Sequence, residues 1–220
     1  MPSSEKYHQI LDAMEKLLKS SDVRTISVTD IAKEAGIGKG SIYYYFSSKN
    51  DILEQLIQRN YKKTIENAYK LASQQEISPF ERMTSLFLLC QEASMELSRT
   101  ESSDFWESQE NALIHQKYIQ YMIASLSPVL TEIIRQGIEQ GVIGCKDPSS
   151  LAEIVILVFT TELDNILAPK STEEIRDTLS AFMELLENGA HSQKGRLRPI
   201  GDYFSLRDIS AESTFRNIKR

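Results

Sequence analysis

Cysteine is scarce in this chain of 220 residues: Cys90 and Cys145 are too few and too far apart for a disulfide framework, and neither stands in a C-x-x-C pair. A reducing, cytoplasmic setting is therefore expected. Histidine is scarce too, and His8, His115 and His191 have no ligand spacing with one another or with the cysteines. No G-x-S-x-G elbow, glycine-rich phosphate loop or paired-carboxylate constellation is present, so the sequence offers no basis for an enzyme, a metal or a cofactor. No apolar run approaches the roughly 18 residues that span a bilayer, and the N-terminus MPSSEKYHQI lacks a cationic-then-apolar signal pattern. No membrane partner is expected. The chain also lacks a general excess of positive charge, since its formal net charge is -6.

The distribution of that charge says more than its sum. Residues 1–49 hold seven basic and six acidic side chains, net +1; residues 61–190 hold ten and twenty, net -10; residues 191–220 hold seven and three, net +4. A polyanion would be repelled by the middle and tolerated by the head. Within the head, Ser27 followed by Asp30 is a capping signal for a short helix whose inward positions Val28, Ile31, Ala32 and Ala35 fall at i, i+3, i+4 and i+7. Gly36 stops that helix, and a second one resumes after Ile37 and Gly38, giving helix, tight turn, helix. Between Ala35 and Asn50 there is no acid, two lysines, and the run Tyr43, Tyr44, Tyr45. Ile42 and Phe46 can bury one face of so short a helix, which leaves most of the phenols outward. Such a helix suits a DNA major groove: glycine lets the backbone approach closely, Lys39 and Ser41 reach base edges or phosphate, and tyrosines donate to phosphate oxygens.

At these residues the chain resembles a known family. The run TISVTDIAKEAGIGKGSIYYYFSSKNDIL is similar to the DNA-binding domain of the tetracycline-repressor (TetR) family, in which a glycine turn, a recognition helix ending Tyr-x-His/Tyr-Phe and a downstream lysine recur in this register. The likeness covers roughly residues 7–57, about a quarter of the chain. It implies that Lys39, Gly40, Ser41 and Tyr44 face bases, and that Thr29, Tyr43, Tyr45 and Lys49 hold phosphates. Two positions depart from the pattern. Gly38 stands where serine is common, removing a side-chain cap, and Tyr45 replaces a commoner histidine.

Taken in order, the chain predicts an all-α fold: a three-helix head with the helix-turn-helix in residues 1–48, a helical effector-binding and dimerisation body in 49–190, and a basic extension in 191–220. The first helix spans about residues 4–20, with Ile10, Leu11, Met14, Leu17 and Leu18 as its stripe. Ser48 and Asp51 cap a long helix over about 49–73, the natural lever between head and body. Further helices are expected over about 78–99, from a Ser103 cap to about 125, from Pro128 to about 140, over 149–167, and over 172–188.

The 149–167 helix contains an apolar run from Ile154 to Phe159, so it needs cover on more than one side. Leu151, Val155 and Val158, with Ile175, Leu179 and Phe182 of the last helix, are assigned to a four-helix interface with a second copy, an arrangement that the family resemblance also implies. Two heads so joined would read a palindrome in double-stranded DNA, roughly 34 to 36 Å apart. Phe87, Met95, Trp106, Glu110, Met122, Phe159 and Glu162 are candidates for lining a pocket for an unidentified, lipophilic small-molecule effector, carboxylates beside aromatic surface being suited to a lipophilic cation. Repression, released by effector, follows from the resemblance. A ligand-independent architectural DNA-binding protein is the alternative. The extension is expected either as a loosely packed tail or as an arm drawn by its +4 charge onto the acidic body or a partner chain.

Overall fold

The computed structural model describes residues 4–100, 112–164, 171–190, 192 and 194–197, with the side chains of residues 92–100 and 112–115 left aside. Among them eight α-helices and no strand occur: α1 (Ser4–Leu18), α2 (Val28–Glu34), α3 (Lys39–Tyr45), α4 (Lys49–Ala72), α5 (Pro79–Thr100), α6 (Ala112–Glu139), α7 (Pro148–Asp164) and α8 (Thr172–Gly189). They fall into two compact units, residues 1–63 with 93–121, and residues 64–92 with 122–220. The first unit takes in the start of α4, whose Ile52, Leu53, Leu56 and Ile57 are buried.

In the first unit, α1 buries Ile10, Leu11, Met14 and Leu18, and α2 buries Ile31 and Ala32. The expected cap on α2 is complete: Asp30 N–H donates to Ser27 Oγ at 3.2 Å while the Asp30 carboxylate accepts from Ser27 N–H at 2.8 Å. Polar clamps then fix α4 on α1. Arg59 donates to Asp12 and to Glu15, each at 2.6 Å, and the Tyr7 hydroxyl donates to Gln55 Oε1 at 3.0 Å while its ring stacks on Phe46. The start of α6 belongs to this unit as well, through a Lys117–Glu54 ion pair of 2.5 Å and a Tyr61–Tyr118 ring contact.

The second unit is built on longer apolar helices. Leu86 and Phe87 of α5, Leu126, Val129, Leu130, Ile133 and Ile134 of α6, Ala152, Val155, Ile156 and Phe159 of α7, and Leu179 and Met183 of α8 are all buried. A buried cation sits among them: Arg82 donates from Nη1 to Ala72 O, at the end of α4, and to Gln136 Oε1 on α6.

One expectation about this body changes, and one alternative narrows. The helix expected to begin at Pro128 is instead the second half of α6, which runs unbroken through that residue. A mid-helix proline costs about 3 kcal/mol through its missing N–H and ring clash. Here Pro128 is exposed, and burial of Leu126, Val129, Leu130 and Ile133 on either side outweighs the break. The helix start assigned to Ser103 lies outside the described residues. Of the two readings left open for the extension after α8, the packed one suits Leu197, which is 3% exposed.

Candidate nucleic-acid interface

Gly36 makes the interface possible. Its φ of 66° is in the left-handed region that side chains with a Cβ rarely adopt, and the turn it closes lets Ile37 N–H reach back to Ala32 O at 3.0 Å. After Gly38, which caps α3 without a side-chain hydrogen bond, the seven residues of α3 follow. Only Ile42 of α3 is buried, with Phe46 just past its end. Two apolar anchors thus hold the helix and the remaining positions are free to face outward. Tyr44 is 69% and Tyr43 53% exposed. Lys39, Gly40 and Thr29 are exposed, and Ser41 and Tyr45 are half-buried, the Tyr45 ring standing edge-on to Tyr44. Seven of the eight residues assigned to DNA therefore gather on α3 and the start of α2.

The eighth does something else. Lys49 Nζ donates to the main-chain carbonyls of Val23 at 2.7 Å and Ile26 at 2.8 Å, with Arg24 O at 3.4 Å. Those carbonyls belong to the connection between α1 and α2, which has no helical partner for them. An ammonium has three donors, and these acceptors take them. The lysine thus braces the connection that leads into α2. Asp51, which was expected to act in the α4 cap with Ser48, accepts from Ser47 N–H at 2.8 Å while its own N–H donates to Ser48 Oγ at 3.1 Å.

In the second unit, Phe87 and Phe159 do come together, their rings stacked with centroids 3.7 Å apart, and Met122 is fully buried. Glu162 is half-buried near the end of α7. Trp106 and Glu110 lie outside the described residues, as does the side chain of Met95. Cys90 is a deep thiol on α5 whose pKa burial pushes up to about 12. Among the described residues no cluster of His, Cys, Asp or Glu is fit to hold a metal ion, and no helix is long and apolar enough to cross a membrane.

The residues assigned to self-association are rotated from where periodicity put them. Val155 and Leu179 are 0% exposed within the one chain, and Leu151, Val158, Ile175 and Phe182 are half-buried. The outward apolar positions are Ile154 at 53%, Leu157 at 44% and Leu185 at 67%. Periodicity alone did not mark these three as outward. The signal lay in their neighbours: Glu153 and Thr161 flank Ile154 and Leu157 on the helix surface and mark that side as the outer one.

A glycine-turned helix pair with an exposed, acid-free second helix, joined to a helical body, defines a helix-turn-helix DNA-binding regulator. Residues 10–56 match the family model for bacterial regulatory proteins of the tetR family, and residues 95–185 match that for the tetracyclin repressor-like C-terminal domain, together well over half of the chain. The chain belongs to the TetR family of transcriptional regulators. The fatty acid metabolism regulator protein of Bacillus subtilis is 39% identical over 61 residues, 28% of this chain and 31% of that protein. The HTH-type transcriptional repressor KstR2 of Mycobacterium tuberculosis is 25% identical over 138 residues, 60% of this chain and 66% of that protein. These matches thus span from under a third to just under two thirds of the relatives' own length. The crystal structure of FadR from Bacillus subtilis in complex with stearoyl-CoA superposes with a TM-score of 0.56 at 22% identity, covering 83% of this chain and 98% of that one, which fixes the fold.

Proposed function

We propose that this protein is a homodimeric repressor that reads a palindromic operator with α3 and releases it when a small lipophilic molecule enters the body. The observation that carries the reading is α3 itself: an acid-free helix that exposes Tyr43, Tyr44 and Lys39 while Ile42 and Phe46 anchor it. Lys39, Gly40, Ser41 and Tyr44 would face base edges, and Thr29, Tyr43 and Tyr45 phosphates. Lys49 contributes by holding the connection before α2 and so the angle of the whole head.

Self-association uses the outer face of the last two helices, Ile154 and Leu157 of α7 with Leu185 of α8. An effector domain over residues 49–190 follows the domain division expected from the sequence. The effector class is supported by stearoyl-CoA in the FadR complex and by the apolar, aromatic interior around Phe87 and Phe159. Helices α4, α5 and α6 each contribute residues to both compact units, and they are the proposed route from effector to head. A coupling of about 1–3 kcal/mol would lower operator affinity about 5- to 150-fold.

The first experiment is selection of bound sequences from a random DNA pool at physiological salt, with native protein and with Tyr44→Ala. One enriched palindrome, with a changed preference in the variant, supports the reading. No enrichment would leave an architectural binder, which has no sequence preference once phosphate contacts are screened. Titration of the selected operator complex with acyl-CoA thioesters of increasing chain length then tests the effector class. Affinity that stays constant through the series rejects it.

A further inference from the structure

The body's fold does not end with α8. Past Gly189 the chain doubles back, and its described residues are tied down at four points. Ala190 O accepts from Gly144 N–H at 2.6 Å, which joins the end of α8 to the connection between α6 and α7. Ser192 N–H and Oγ donate to Glu187 O at 3.0 and 3.2 Å. Gly195 then turns the chain with a φ of 83°, a conformation for which glycine is the natural residue. The turn presents two backbone donors to one side chain: Glu187 Oε2 accepts from Gly195 N–H at 2.7 Å, and Oε1 accepts from Leu197 N–H at 2.6 Å.

Glu187 is only 6% exposed. A carboxylate so placed is costly unless donors meet both oxygens, and the returning chain supplies them. The Leu197 side chain is seated among Phe80, Met83, Ile134, Ile143, Val155 and Leu186, leaving a gap of about 20 Å³, room for little more than one water. Its neighbours on the strand of chain, Lys194 and Arg196, stay exposed. The pattern is that of a bound peptide, one buried apolar anchor with two main-chain hydrogen bonds, except that the peptide belongs to the same chain.

We infer that Ser192 and residues 194–197 form a strap, with Leu197 as its plug and Glu187 as its catch, that fixes the last turns of α8 to α5 and to the α6–α7 connection. Release would uncover an apolar groove and strand a buried carboxylate at once, so the two contacts hold or fail together. The strap acts from the inner side of α8, and it stands whatever meets Leu185 on the outer side.

Amide hydrogen exchange on the full chain tests it. In the native protein the Gly195 and Leu197 amides should exchange at least a hundredfold more slowly than in an unstructured peptide. Leu197→Ala and Glu187→Ala should each speed exchange in the last two turns of α8 at least tenfold and lower Tm by about 4–12 °C. Glu187→Gln, which keeps the size and one acceptor, should fall between. Lys194→Ala should change nothing, and amides of α2 and α3 should stay constant throughout. Unprotected Gly195 and Leu197 amides in the native chain would overturn the strap, with no variant needed. Unchanged exchange in α8 of folded Leu197→Ala would overturn it as well.

Discussion

Helices α3 and α7 both leave large side chains in solvent, and the difference between them separates two kinds of partner. On α3 the exposed groups are Tyr43 and Tyr44, rings that end in hydroxyls, beside a lysine and with no acid near. On α7 they are Ile154 and Leu157, hydrocarbon throughout, and Leu185 adds to the same character on α8. A phenol can leave water for a phosphate or base edge without losing its hydrogen bond, whereas an aliphatic side chain gains only from another apolar surface. The first arrangement fits a polyanion and the second a protein face. Aspartates should therefore damage α7 and α8 severely, since they would be buried against a partner. With Leu157→Asp and Leu185→Asp together, self-association should weaken at least about a thousandfold, each uncompensated charge costing a few kcal/mol. Sedimentation velocity would show a monomer with native helical content. A persistent dimer would mean that this face is not the interface and that the contrast with α3 has been misjudged.

The next effect is smaller and falls on DNA alone. Tyr44→Ala should lower affinity for the selected operator about 10- to 100-fold while Tm stays within a degree, because a side chain 69% exposed contributes little to the fold. Lys39→Ala should reduce the salt dependence of binding by about one phosphate contact per head. Were Tyr44→Ala to unfold the head instead, the tyrosines would be structural after all.

Lys39 and Lys49 carry the comparison inside the head. Both stand in the acid-free window and by sequence both were expected to touch DNA. Their surroundings divide them: one ammonium is exposed and the other is enclosed by carbonyls. Lys49→Met keeps the aliphatic stem and removes the donors. It should cost about 1–3 kcal/mol of stability, several degrees in Tm, with the salt slope of DNA binding unchanged. A flatter slope at constant Tm would restore Lys49 to the phosphate contacts.

What the sequence disclosed followed from signals that are local. The Ser27 and Ser48 caps, the Gly36 turn and the Ile42 and Phe46 anchors depend on residues within a few positions of one another, and all of them are found in the structure. The bracing role of Lys49 was not legible because its acceptors lie 23 to 26 positions earlier and are backbone atoms, which no composition reveals. Proline at 128 looked like a start, since propensity cannot show how much apolar surface lies on either side waiting to be buried. The apolar run Ile154 to Phe159 led to the expectation of cover on more than one side of α7 but gave no phase for it. Leu197 was hidden differently: a lone leucine in a basic stretch becomes a core residue only through the Gly195 turn and the Glu187 carboxylate.

The gentlest test concerns how α2 is started, and it separates the head's fold from its partner by pH. Hydrogen bonds from the Ser27 hydroxyl and backbone hold the Asp30 carboxyl below its ordinary value of 3.8. A depressed folded pKa means that the folded state prefers the ionised form. The contribution is therefore complete above pH 3.8 and disappears as pH falls through the lower, folded value. Ser27→Ala removes the cap at neutral pH and should cost about 1 kcal/mol, seen as a small drop in Tm. It should also shrink the acid-induced loss in that window, since Asp30 then has less to lose. DNA binding at neutral pH should change little, because α3 keeps its own anchors in Ile42 and Phe46. A Ser27→Ala protein with native Tm and a native acid limb would show that the capping box contributes nothing to α2, and that packing of Ile31 and Ala32 alone sets the first helix of the pair.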